Sequence, residues 1–175
     1  MNKTKFTISI YTENNVGLLN RISAIFLKRH INIRSITSSE SEISNIYRFI
    51  IVVKVDNEKI VKIVKQIEKQ IEVIAAFYHT DEETIFLETA LYKVKSKSLF
   101  NERQIQNIIK DSRANIVTVK PEYFVIEKTG WREETEDLYN KLKKYGLLQF
   151  VRSGRISVSK KSMEITKFLK SNKND

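Results

Sequence analysis

The chain has 175 residues, 41% of them hydrophobic, and no cysteine. That length fits one large domain or two small ones with packed cores, and the missing cysteine excludes disulfides, thiolate catalysis and cysteine-ligated metal sites. A net charge of +10, from 31 basic and 21 acidic residues, permits an acidic partner or nucleic acid without requiring either.

Residues 5–12 alternate, with Phe6, Ile8 and Ile10 on one side and Thr7, Ser9 and Tyr11 on the other, which predicts a half-buried strand. This strand pattern starts at the N-terminus with no apolar leader, and no stretch approaches the roughly 20 apolar residues of a membrane span. A soluble, cytoplasmic protein is therefore expected. After the run Glu13-Asn14-Asn15-Val16-Gly17 the period changes. Leu18, Leu19, Ile22, Ile25 and Phe26 form a helical stripe. Residues 31–38 alternate again, a polar loop follows, and residues 46–55 read as a more fully buried strand. Asp56 or Asn57 can cap the next helix, whose apolar positions are Ile60, Ile63, Val64, Ile67 and Ile71. Residues 72–79 close this half as a strand.

The second half repeats the order. Residues 84–95 read as a strand, 101–112 as a short helix, and 114–119 and 123–128 as strands joined by a tight turn at Pro121. Residues 133–145 read as a helix ending at Gly146. The run from Leu147 to Ser159 supplies a last strand and room for one more. From Lys160 onward a basic run reads as frayed or weakly helical. Two successive βαββαβ units account for this order, an α+β, ferredoxin-like arrangement of an antiparallel sheet with two helices on one face. The other face of each sheet is bare unless something packs on it, in the same chain or in a second copy. A homodimer is expected.

Few residues suggest chemistry. His30 and His79, the two histidines, each end an element and lack carboxylates at metal-ligand spacing. The four glycines, at 17, 130, 146 and 154, form no phosphate-binding motif. Tyr47, Phe49, Tyr92, Tyr123 and Phe124 lie in strands, where packing explains them without a nucleic-acid stacking face. Trp131 reads as a cap or core residue, with a binding platform as the alternative. The run from Glu13 to Leu19 differs. Asn14 or Asn15 can cap the helix, Gly17 admits a backbone conformation or an approach that a Cβ forbids, and the unpaired N–H groups of a helix start suit a carboxylate. Asn32, after the helix, is placed to reach the same end of the sheet. Both a plain helix cap and an amino-acid site fit these residues.

The segment Thr7–Thr37 resembles the opening of the small, regulatory subunits of acetolactate synthase. That family begins with an ACT domain whose first loop reads EN-x-x-G-x-L-x-R, here Glu13, Asn14, Gly17, Leu19 and Arg21, followed by R-x-x-N-I, here Arg29, Asn32 and Ile33. The resemblance spans about residues 5 to 160. It implies an ACT amino-acid-binding domain over 1–80, a second ferredoxin-like domain over 81–160, and a basic tail over 161–175. It implies a non-catalytic chain, with no catalytic, cofactor-binding or metal-ligating residues of its own. Such a chain activates a separate catalytic subunit, which is expected to carry thiamine diphosphate and Mg2+, with FAD as an optional third. It also confers feedback inhibition by valine or a related branched-chain amino acid. The effector would lie between two ACT domains, and the matching positions here are Asn14, Val16, Gly17, Leu18, Asn32 and Ile33. Val16, His30 and Ile31 depart from the residues common there. Arg152, Gly154 and Arg155 are candidate contacts with the catalytic subunit. No nucleic acid or membrane partner is implied. The rivals are a basic ferredoxin-like nucleic-acid-binding module and a freestanding ACT amino-acid sensor.

Overall fold

The computed structural model describes residues 3–97, 103–162 and 164–172. In chain order the elements are β1 (Thr4–Glu13), α1 (Leu18–Leu27), β2 (Ile33–Glu40), β3 (Ile46–Val55), α2 (Asn57–Glu68), β4 (Val73–Thr80), β5 (Thr84–Lys95), α3 (Arg103–Asp111), β6 (Asn115–Val119), β7 (Tyr123–Gly130), α4 (Arg132–Leu142), β8 (Leu147–Arg152), β9 (Ile156–Ser159) and α5 (Ile165–Asn172). Positions 101 and 102 of the expected helix, and 163 and 173–175 of the expected tail, lie outside the described residues. The chain forms two compact units, residues 1–86 with 155–175, and residues 87–154. Each contains the βαββαβ order that the alternating periods predict.

In the first unit the antiparallel sheet runs β2-β3-β1-β4. One face is closed by the helices. Leu18, Ile22, Ile25 and Phe26 of α1 and Ile60, Ile63, Val64 and Ile67 of α2 pack on Phe6, Ile8 and Ile10 of β1 and Phe49, Ile51 and Val53 of β3. The three- and four-residue spacing of the helix positions meets the two-residue spacing of the strands, so both stripes face one core. Asp56 starts α2 by accepting the Lys59 N–H at 2.9 Å, while α1 begins at Gly17, which sits in the left-handed region at φ 83°.

The other face, expected to be bare within such a unit, is covered by the chain's own last segment. Leu169 of α5 is fully buried in a cluster with Tyr11, Ile46 and Ala75. Arg155, only 3% exposed, is held there by the Thr7 hydroxyl at 2.8 Å and the Asp81 carboxylate at 2.6 Å, and its guanidinium lies 3.5 Å from the centre of the Phe86 ring. β9 pairs with β5, and just beyond it the Lys160 N–H donates to the Glu83 carbonyl.

In the second unit the sheet runs β6-β7-β5-β8, the same second-third-first-fourth order. Ala90, Tyr92 and Val94 of β5 and Phe124 and Ile126 of β7 face Ile105 and Ile109 of α3 and Leu138 and Leu142 of α4. Tyr92 is completely buried, its hydroxyl donating to the Thr135 carbonyl at 2.7 Å, and burial pushes the phenol well above its ordinary pKa. With Tyr92 and Phe124 in the core, neither is on an exposed stacking face. Pro121 lies in a tight turn closed by the Lys120 N–H to the Tyr123 carbonyl at 2.8 Å. Gly146 stops the second helical segment at φ 78°, a conformation that costs a non-glycine residue about 1–2 kcal/mol.

Candidate functional site

The loop between β1 and α1 is anchored at its base and open at its tip. The Glu13 N–H donates to the Glu72 carbonyl at 2.9 Å and the Asn14 N–H to the Asn45 carbonyl at 3.3 Å. Beyond these, Asn14, Asn15 and Gly17 are exposed, and Val16 is 98% exposed. Leu18, by contrast, is buried and belongs to the core.

Neither Asn14 nor Asn15 caps α1. Gly17 itself occupies the cap position, no side chain accepts a hydrogen bond there, and no acidic residue lies in the first turn. Unpaired N–H groups at a helix start carry partial positive charge. The Leu18 N–H donates to the Asn15 carbonyl at 3.4 Å, and the space beside Gly17 is open, since a Cβ built there meets nothing within 4 Å. Glycine is therefore required by its positive φ rather than by packing inside the chain.

Asn32 and Ile33 do not join this loop within one chain. Ile33 pairs with Val53, and Val53 with Phe6, whereas Glu13 pairs with Ile46 at the other end of the sheet. Seven residues of β1 separate the two ends, roughly 23 Å at about 3.3 Å per residue. The expectation that the Asn32 amide reaches the same end is thus corrected. α1 runs back along β1 before β2 begins, so a residue just after the helix returns to the start of the sheet.

Asn32 lies instead in an open cleft of about 600 Å³ with His30 and Ile31, lined by Lys3, Arg29, Arg34, Lys54 and Lys59, and by Asp56 as the one lining carboxylate. Asp56 is already paired with Lys59 at 3.1 Å, so the cleft is strongly cationic. Its basic residues come from position 3, from residues 29–34 and from residues 54–59, and no local run of the sequence announces it. His30 has φ 51°, which explains why a glycine suits this position after α1. Arg21 carries a role that spacing alone did not disclose, because its guanidinium pairs with Glu72 at 2.6 Å and ties α1 to the approach to β4.

The three positions proposed as contacts with a catalytic subunit are not alike. Arg155 is buried in the first unit, as described above. The Arg152 side chain is only 10% exposed and is shared between Glu136 and Glu88. Both arginines are thus engaged inside their own units rather than offered to solvent. Gly154 is half-buried. Among the described residues no group of His, Asp and Glu could hold a metal ion, and no helix is long and apolar enough to cross a membrane.

Residues 6–72 match the family model of the ACT domain, and residues 87–161 match that of the small subunit of acetolactate synthase. The chain is 32% identical to the acetolactate synthase small subunit of Mycobacterium bovis over 160 residues, covering 91% of this chain and 95% of that relative. It is 36% identical to the acetolactate synthase small subunit of Bacillus subtilis over 151 residues, 86% of this chain and 87% of that one. The crystal structure of the acetolactate synthase small subunit from Thermotoga maritima superposes with a TM-score of 0.81 at 28% identity, covering 91% of this chain and 99% of that chain.

Proposed function

The chain belongs to the acetolactate synthase small-subunit family, and from that premise we propose how this regulatory, non-catalytic subunit works. It raises the activity of a separate catalytic subunit, the chain that holds thiamine diphosphate, and makes that activity sensitive to a branched-chain amino acid. The effector sits at a seam between two copies of the ACT unit.

The observation that carries this reading is the separation of Gly17 and Asn32 to opposite ends of the sheet. β2 is an edge strand of its sheet, and long exposed edges are normally covered. α1 leads into this strand, with Leu19 and Leu27 exposed at 46% and 75%. A two-fold axis beside β2 sets two copies of α1 antiparallel. It brings the Gly17 loop of one copy against the Asn32 end of the other and buries both leucines. The ligand carboxylate then meets the N–H group of Gly17 beside Leu18, whose own N–H donates to the Asn15 carbonyl at 3.4 Å, Asn14 and the other copy's Asn32 flank its ammonium group, and Val16 and Ile33 contact an aliphatic side chain. Feedback requires that the ligand bind one arrangement of the pair better than another.

Mixed dimers test this directly. Gly17→Asp in one copy and Asn32→Ala in the other place both lesions in the same site and leave the second site intact. Homodimers of either variant should show no saturable binding of valine, leucine or isoleucine by calorimetry. A refolded mixture should recover one site per mixed dimer. If mixing recovers nothing while the unmodified dimer binds, the two residues do not share a site across the seam.

A further inference from the structure

A second cavity lies in the first unit on the sheet face away from α1 and α2. It encloses about 160 Å³ between Ser9, Tyr11, Arg48, Phe77 and His79 on the sheet side and Ser157, Ser159, Lys161 and Ile165 on the covering segment. A single water needs about 10–15 Å³ by this measure, so there is room for several waters or one small molecule. Its lining is chemically one-sided. Two cations, one histidine and several hydroxyls face it, and no carboxylate does.

Arg48 is the central group. Its guanidinium bonds the Tyr11 hydroxyl, but its Nε is buried without a hydrogen-bond partner, and a buried unpaired donor on a charged group is costly. Among the described residues neither Arg48 nor Lys161 forms an ion pair. Two carboxylates lie outside this lining, and Glu83 is an electrostatic neighbour of His79 and Lys161. Glu83 accepts the Thr80 N–H at 2.9 Å, and Glu42 accepts the Thr166 hydroxyl at 3.3 Å. At the rim, Ser159 Oγ accepts the Lys161 N–H at 3.1 Å and lies 3.3 Å from His79 Nε2. Its hydroxyl hydrogen is thereby left to point either at the imidazole or into the cavity.

The geometry points to a binding site for a small oxyanion, a phosphate-sized or short carboxylate group, held by Arg48 and Lys161 with the hydroxyls of Ser9, Ser157 and Ser159. The site is independent of the Gly17 loop, which lies at the end of the sheet on its helical side. Because β9 and α5 form its cover, an occupant would tie the closing segment to the sheet. Charge-assisted bonds of this kind are the strong ones, and a guanidinium edge matches an oxyanion in geometry as well as charge.

The test is calorimetric titration of the full chain with phosphate, sulfate and acetate, in chloride buffer of matched ionic strength. At least one should saturate at one site per chain. A preference for phosphate and sulfate identifies a tetrahedral group, and a preference for acetate a carboxylate. Arg48→Met should weaken binding by about tenfold or more, while Lys62→Met, which removes an exposed charge on α2, should leave it unchanged. Should Arg48→Met fail to fold, the pair Ser159→Ala and Lys161→Met, at the cavity rim, should weaken binding by about the same factor. No saturable binding by any of the three anions, or binding untouched by these substitutions, overturns the site.

Discussion

Gly17 is the residue on which the regulatory reading turns. Its φ of 83° and the open space before it separate two effects that a substitution usually mixes. An added Cβ meets no neighbour in the chain, so the cost to folding is the backbone strain alone, about 1–2 kcal/mol. An added carboxylate, however, occupies the place proposed for the ligand's own. Gly17→Asp is expected to abolish inhibition by the amino acid while the catalytic subunit is still activated. The check is an acetolactate assay on the reconstituted complex with and without effector. Inhibition that persists unchanged would remove the loop from the site. The glycine and its helix start were legible in the sequence, because a change from period two to period three and four marks the boundary. The lack of an asparagine cap was not. A capping side chain and a merely adjacent one look alike until the backbone conformation is known.

At the scale of elements, the strands and helices followed from periodicity because each buries one face. β3 spans the expected residues 46–55, and Asp56 caps α2 as its position suggested. The role of residues 155–172 was hidden, because it depends on partners far away in sequence. Arg155 bonds Thr7 across 148 positions, and its carbonyl accepts the Thr37 hydroxyl of β2 at 3.2 Å. Arg155 thus fastens the returning chain to strands β1 and β2 and to Asp81. Replacing it with methionine leaves Asp81 with Lys5 alone, 2.7 Å away, and strands the Thr7 hydroxyl. A loss of about 2–3 kcal/mol is expected, read by chemical unfolding. The same variant should change the acid limb of the stability curve. Burial raises the Asp81 carboxyl, but hydrogen bonds from Arg155 and Lys5 outweigh it and hold the group below its ordinary 3.8. The unfolded chain therefore binds this proton more readily than the folded one. Its stabilisation is full above pH 3.8 and is lost as pH falls through the lower folded value. In Arg155→Met that contribution should shrink, and an acid limb identical to that of the unmodified chain would contradict the assignment.

For the whole molecule, the duplicated βαββαβ order was legible because both halves carry the same sequence of periods. What the sequence could not disclose was distance. Asn14 and Asn32 are 18 positions apart, yet α1 carries the chain back along the sheet and leaves them at opposite ends. Under the proposed seam each copy would supply half of two sites, and regulation would be a property of the pair. The net charge of +10 is concentrated in part in the cleft around Asn32, where it would favour an acidic surface or ligand. Regulation of a catalytic partner is checked by the rate of acetolactate formation by that partner, alone and with this chain, in the absence and presence of valine, leucine and isoleucine. A higher rate is expected with the chain, and a lower one when at least one of the three is added. A rate that the chain leaves unchanged under every condition, in a preparation where the two proteins are mixed in excess, would contradict it.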